Sequence, residues 1–138
     1  SFSFQEFSQR YADPTKDLDF VTRDARLQDE NNRQNSVEID DPKLQEDWDV
    51  IQEMLIEDAQ SAYRWAISKG IAKEQARAVL PEGLTMSRMY MNGTLRSWVH
   101  YIELRSGHGT QKEHMDIARE CAVAIAPIFP MIQDFVNE

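Results

Sequence analysis

Residues 41–70 constrain this chain more than any other stretch. Asp41-Pro42 sets a side-chain acceptor before a ring that fixes φ at a helical value, the pattern of a helix start. Leu44, Trp48, Ile51, Leu55, Ala59, Ala62 and Ala66 then recur at intervals of three and four, laying one apolar stripe along a helix. Gly70 follows at the position of a left-handed C′ residue. A helix over 42–69 is therefore expected, with that stripe as its buried face.

The other segments are shorter. Residues 73–79 read as a brief helix running into Leu80-Pro81, and LTMSRMYM (84–91) alternates as a strand with Asn92-Gly93 as the turn after it. Thr94 caps a helix through Arg105, and SGHG (106–109) breaks it. Thr110 and Glu113 fit a capping box for a last helix, whose apolar face is Ile117, Ala118, Cys121, Ala124, Ile125 and Ile128. Pro127 and Pro130 divide its end. Toward the start, Asp13-Pro14 reads as a turn and Leu18, Phe20 and Val21 as a short strand. Polar, asparagine-rich residues 28–41 read as a mobile loop. The expectation is a single domain over 1–138, of α+β class and predominantly helical.

Charge narrows the function. With 24 acidic against 15 basic residues, the net charge is -9. A general nucleic-acid binder needs a basic surface to displace counterions, so that class is disfavoured. An anionic small molecule is not, because a few arginines can form a local positive pocket. Cys121 is the single cysteine, which removes disulfide frameworks within the chain and makes a reducing, cytoplasmic setting the default. No apolar run approaches the roughly 20 residues that span a bilayer, so no membrane partner is expected.

Three groups have candidate chemistry. Ser8 and Arg10 lie two apart in the opening SFSFQEFSQRY, so an extended chain would point both to one side, with Glu6. A hydroxyl beside a guanidinium grips phosphate or carboxylate; the alternative is a surface turn with an ion pair of little consequence. On helix 94–105, Arg96 and His100 share a face, while Trp98, Ile102 and Arg105 share another. An arginine on an apolar face must be paired or bind something. His108, Glu113 and His114 lack the four-residue histidine spacing of a zinc protease, so no metal site is expected. Cys121, on an apolar helix face, reads as an inert core residue.

Taken together, SFSFQEFSQRY, KEQARAVLP and TLRSWVHYIELRSGHGTQKEH resemble, in order and spacing, the motifs of the flavin-dependent thymidylate synthases (ThyX). That family's signature is Arg-His-Arg, seven residues, then serine. SFSFQEF supplies the seven and Ser8 the serine, so the resemblance implies a chain that begins inside the domain and lacks the N-terminal part of a ThyX-like fold. It implies conversion of dUMP to dTMP with FAD, NADPH and methylenetetrahydrofolate, in a homotetramer with active sites at subunit interfaces. Glu6, Phe7, Ser8, Gln9 and Arg10 would line the dUMP site, with Ser8, Arg10 and Arg77 near the phosphate. Arg105 would face the uracil and favour ionisation at its N3, as the catalytic residue. Glu6, Thr94, Leu95, Arg96 and His100 would contact FAD. Thr94 stands where the family usually has asparagine. The chain alone is expected to bind FAD poorly and to turn over no dUMP.

Two other readings remain. The long helix and acidic surface suit a non-enzymatic module that docks a partner helix. Alternatively, Glu46, Asp47, Asp49, Glu53, Glu57 and Asp58 offer carboxylates for a Mg²⁺-dependent nucleotide hydrolase, though an outward helix face is usually just solvated.

Overall fold

The computed structural model describes residues 1–6 and 19–138. The expected turn at Asp13-Pro14 and strand residue Leu18 lie outside these. The described residues cluster into two compact units, one of 1–4, 26–39 and 91–138, the other of 5–25 and 40–90, of which 7–18 are not described.

The second unit is built on α1 (Pro42–Ser68). The Asp41 carboxylate caps it by accepting the Leu44 N–H at 3.0 Å. Its other end closes as a Schellman motif: Ile71 N–H donates to Ala66 O at 3.0 Å and Gly70 N–H to Ile67 O at 3.0 Å. Gly70 takes φ 77°, which a side chain would resist. Both ends match the sequence reading; the buried face does so only in its second half, where Ala59 and Ala66 of the expected stripe are buried. The residues turned in are Gln52, Ala59, Tyr63 and Ala66, while Leu44, Ile51 and Leu55 remain 40%, 50% and 52% exposed.

The cause is a strip of backbone laid along the first half of the helix. Gln52 accepts the Arg23 N–H at 2.7 Å and donates to Arg23 O at 3.0 Å, and Gln45 accepts the Ala25 N–H at 2.8 Å. A covered backbone needs polar partners, so glutamines face inward there and the apolar stripe is turned aside. Toward the helix end, Tyr63 and Ala66 pack on Ala76, with Ile67 and Leu80 around them. Ala76 ends α2 (Lys73–Ala76), which continues as a 3-10 turn over Arg77–Val79. Phe20 bridges Thr85, and Val21 N–H donates to Leu84 O at 2.9 Å, a single rung where a short strand was expected.

The first unit centres on α3 (Leu95–Arg105) and α4 (Lys112–Ile125). Thr94 caps α3 as expected, its hydroxyl accepting the Ser97 N–H at 3.2 Å. Ile102, Ala118, Ala122 and Ile132 are fully buried. The alanines keep the contact close, and Ile132 comes from a terminal 3-10 turn, Pro130–Phe135. Gln111, not Thr110, is the N-cap of α4, and its side chain makes no capping bond. The seam of α4 differs too: Ile117 is 57% and Ile128 88% exposed.

Residues 28–41, expected as a mobile loop, contain most of a hairpin. β2 (Arg26–Gln28) pairs antiparallel with β3 (Ser36–Glu38). The Asp29 carboxylate accepts from Asn31 N–H at 2.8 Å, Asn32 N–H at 3.1 Å and Asn35 Nδ2 at 2.7 Å. The asparagines that suggested disorder are thus turn residues.

β1 (Phe2–Glu6) pairs with β4 (Met89–Gly93). The strand expected at 84–91 therefore starts later, and Asn92-Gly93 ends it instead of turning away. Gly93 is required because the Phe2 ring occupies the space a Cβ would take. Phe2 meets Trp98 edge-on at 4.9 Å and Tyr101 at 6.1 Å, fastening the first strand to α3.

Gln52→Leu keeps the volume but removes both side-chain hydrogen bonds to the Arg23 backbone. The expected loss is about 1–3 kcal/mol, read as a lower urea midpoint at unchanged slope.

Candidate nucleotide site

The site is assembled from the end of α3. Its last turn brings Arg105 half-buried to the helix terminus, one turn beyond Tyr101 and on the side of buried Ile102. Among the described residues, no carboxylate pairs with Arg105. A guanidinium partly withdrawn from water, with no counter-charge among the described residues, can take one from a ligand.

Its neighbours come from α4. The His114 ring lies 5.6 Å from that of Tyr101. Burial, and after it the charge of Arg105, push His114 below its ordinary value, which favours the uncharged imidazole at neutral pH. Burial pushes the Tyr101 hydroxyl up; Cys121 adds to the rise and Arg105 opposes it. Burial also raises the Cys121 thiol, with a smaller contribution from Glu120. A thiol held protonated is a poor nucleophile. The arrangement is one permanent cation flanked by two uncharged rings, suited to holding the electron-rich edge of a planar ligand.

Thr94, Leu95, Arg96, His100 and Arg105 fall together on or beside α3. Leu95, Arg96 and His100 are exposed, with the last two a turn apart. Glu6 and Arg77 belong to the other unit. Arg77 is exposed and donates through Nε to Glu74 O at 3.2 Å. Phe7, Ser8, Gln9 and Arg10 lie outside the described residues. Sequence reasoning missed Tyr101 and His114 as neighbours of Arg105. The signal present was His114 in the opening turn of the last helix, but its relation to Arg105 runs through the 106–111 loop, which periodicity does not bridge.

The carboxylates of α1 gather no metal site. Asp47 pairs with Lys43 at 2.6 Å and Asp49 accepts from Gln45 at 2.8 Å. Among the described residues, no three His, Cys, Asp or Glu side chains converge. Nor is any described helix long and apolar enough to cross a membrane.

The family profile described as "Thymidylate synthase complementing protein" matches residues 1–131. The chain belongs to that family. Among ThyX relatives, a probable flavin-dependent thymidylate synthase of Paramecium bursaria Chlorella virus 1 is 46% identical over 132 residues, covering 96% of this chain and 60% of the relative. The flavin-dependent thymidylate synthase of Synechocystis sp. is 42% identical over the same length, again 96% of this chain and 60% of its own. The chain thus spans about 60% of the length of these relatives. The fold is ThyX-like: a crystal structure of PolB from Streptomyces cacaoi, a UMP/dUMP methylase bound with 5-Br UMP, superposes with TM-score 0.78 at 23% identity, covering 97% of this chain and 62% of that one.

The depressed His114 value has a consequence for stability. Between that value and 6.5, the unfolded chain binds the proton that the folded state refuses, so stability falls as pH drops through this window. His114→Gln removes this contribution. Urea unfolding at a series of pH values from neutral to acid should show a shallower loss in the variant.

Proposed function

We propose that this chain provides the pyrimidine-binding part of a flavin-dependent thymidylate synthase, which methylates dUMP reductively to dTMP. The observation that carries this is Arg105: half-buried, without a carboxylate among the described residues, and beside an imidazole held uncharged. In this reading its guanidinium donates to the uracil edge and stabilises negative charge developing on the ring. Arg77, with Ser8 and Arg10, holds the phosphate, and Glu6, Phe7 and Gln9 complete the nucleotide pocket. The known relatives' names support a flavin.

Arg96 and His100 fit such a group. They are exposed donors one turn apart near the start of α3, a disposition that suits a diphosphate. The Thr94 hydroxyl already caps the helix, so its share in holding FAD falls to its backbone, and Leu95, 45% exposed, offers an apolar contact. Bound FAD would supply the hydride, received from NADPH, with methylenetetrahydrofolate as the one-carbon donor. The protein's part is then to orient the base and exclude water. No cysteine nucleophile is needed, in keeping with the raised Cys121 thiol.

The reading includes a cytoplasmic homotetramer with active sites shared between subunits. Support for self-association comes from α1, where Leu44, Ile51, Met54, Leu55 and Trp65 remain 40% to 60% exposed along one side. The same face would serve a non-enzymatic docking module, so ligand binding separates the two.

Calorimetric titration with dUMP should show Arg105→Ala and Arg77→Ala each weakening affinity about ten- to a hundredfold, the range for a lost charge-assisted bond. Unchanged affinity in both, or no binding of either ligand even when the N-terminal part of a ThyX domain is supplied, would favour the docking module. Separately, Leu55→Glu should lower the mass measured by light scattering without loss of helical signal.

A further inference from the structure

A helix that ends in a working arginine needs its end held. The last carbonyls of α3 have no partners within the helix, and they emerge around Arg105. Two residues from elsewhere in the unit take them. Arg119 of α4 donates through Nε to Ser106 O at 3.0 Å and through Nη2 to Asn137 O at 3.2 Å. Asn137 donates through Nδ2 to Glu103 O, and its own N–H donates to Ser106 Oγ at 2.8 Å. Ser106 is fully buried, and its N–H closes the helix on Ile102 O at 3.0 Å. A Cβ on Gly107 would come within 3.2 Å of the Asn137 side chain. The residue directly after Arg105 is thus held through its N–H, carbonyl and hydroxyl.

We propose that Arg119 and the segment at Asn137 form a strap across the end of α3 that positions Arg105 for the pyrimidine. Ser106, Arg119 and Asn137 are positioning residues: they touch the helix end, and their effect on the nucleotide passes through Arg105. Three features favour this over ordinary packing. The strap bonds bracket Arg105, at Glu103 and at Ser106. Two of them, at Glu103 O and Ser106 O, engage backbone carbonyls and so fix the rise and rotation of the last turn, while the third holds the Ser106 hydroxyl. And Arg119 brings its charge to a helix C-terminus, where a cation is favoured, without competing for the Arg105 ligand.

The inference rests on Arg105 as the dUMP contact, and a double-mutant cycle tests it. In the parent, Ser106→Ala and Arg119→Gln should each weaken dUMP binding about tenfold. In an Arg105→Ala background the same changes should cost under about twofold. Ser106→Thr, which keeps the hydroxyl, should retain affinity. Equal losses in both backgrounds, or none in the parent, overturn the strap. Where Ser106→Ala does not fold, Asn137→Ala, which removes the bond to Glu103, serves in its place. If Arg105→Ala itself leaves dUMP affinity unchanged, the functional reading fails. NMR relaxation at Arg105 Nε in the ligand-free protein then decides the strap alone: greater mobility in the variants supports it, and no change refutes it.

Discussion

The contact on which the site depends is the close approach of α3 and α4. Ile102 packs with Ala122 and Ile132, all three fully buried. Residues with little or no side chain beyond Cβ let the two helices come near enough for groups on their margins to sense one another. That is why Tyr101 and Arg105 from one helix and His114 from the other form a single electrostatic unit. A larger residue at Ala122 would wedge the helices apart and relax the Arg105 environment before touching any ligand.

The surroundings of this seam favour a permanent cation over a titrating one. Burial and the guanidinium both act against a second positive charge on His114, so near neutrality the uncharged imidazole is favoured beside Arg105. Phe2 adds a different constraint. Its ring fills the space above Gly93 and contacts Trp98 and Tyr101, so the opening strand is fastened to the helix that bears Arg105.

Much of this was legible in the sequence because it is local. Asp41, Gly70 and Thr94 act on backbone groups within a few residues, and cap chemistry reports them directly. The grouping of Trp98, Ile102 and Arg105 on one face follows from helical period alone. What was not legible depends on partners distant in the chain. Gln52 turns inward because residues 23–25 lie along the helix; a stripe of leucines gives no hint of that. Gly93 looked like a turn because nothing near it in sequence announces the Phe2 ring. The Asn-rich segment was misread since asparagine serves both disorder and Asx turns, and only the Asp29 carboxylate distinguishes them. The roles proposed for Arg77, Arg96 and His100 come from family resemblance; periodicity could not offer them.

Among the described residues, folding leaves the Arg105 guanidinium without a carboxylate, and in the proposed function a nucleotide completes it. A crystal structure of the protein with dUMP tests this most directly. The predicted result is the uracil edge within hydrogen-bonding distance, about 2.8 Å, of the Arg105 guanidinium. A nucleotide bound with its base elsewhere, and Arg105 turned to solvent or paired with a carboxylate of the protein, would contradict it.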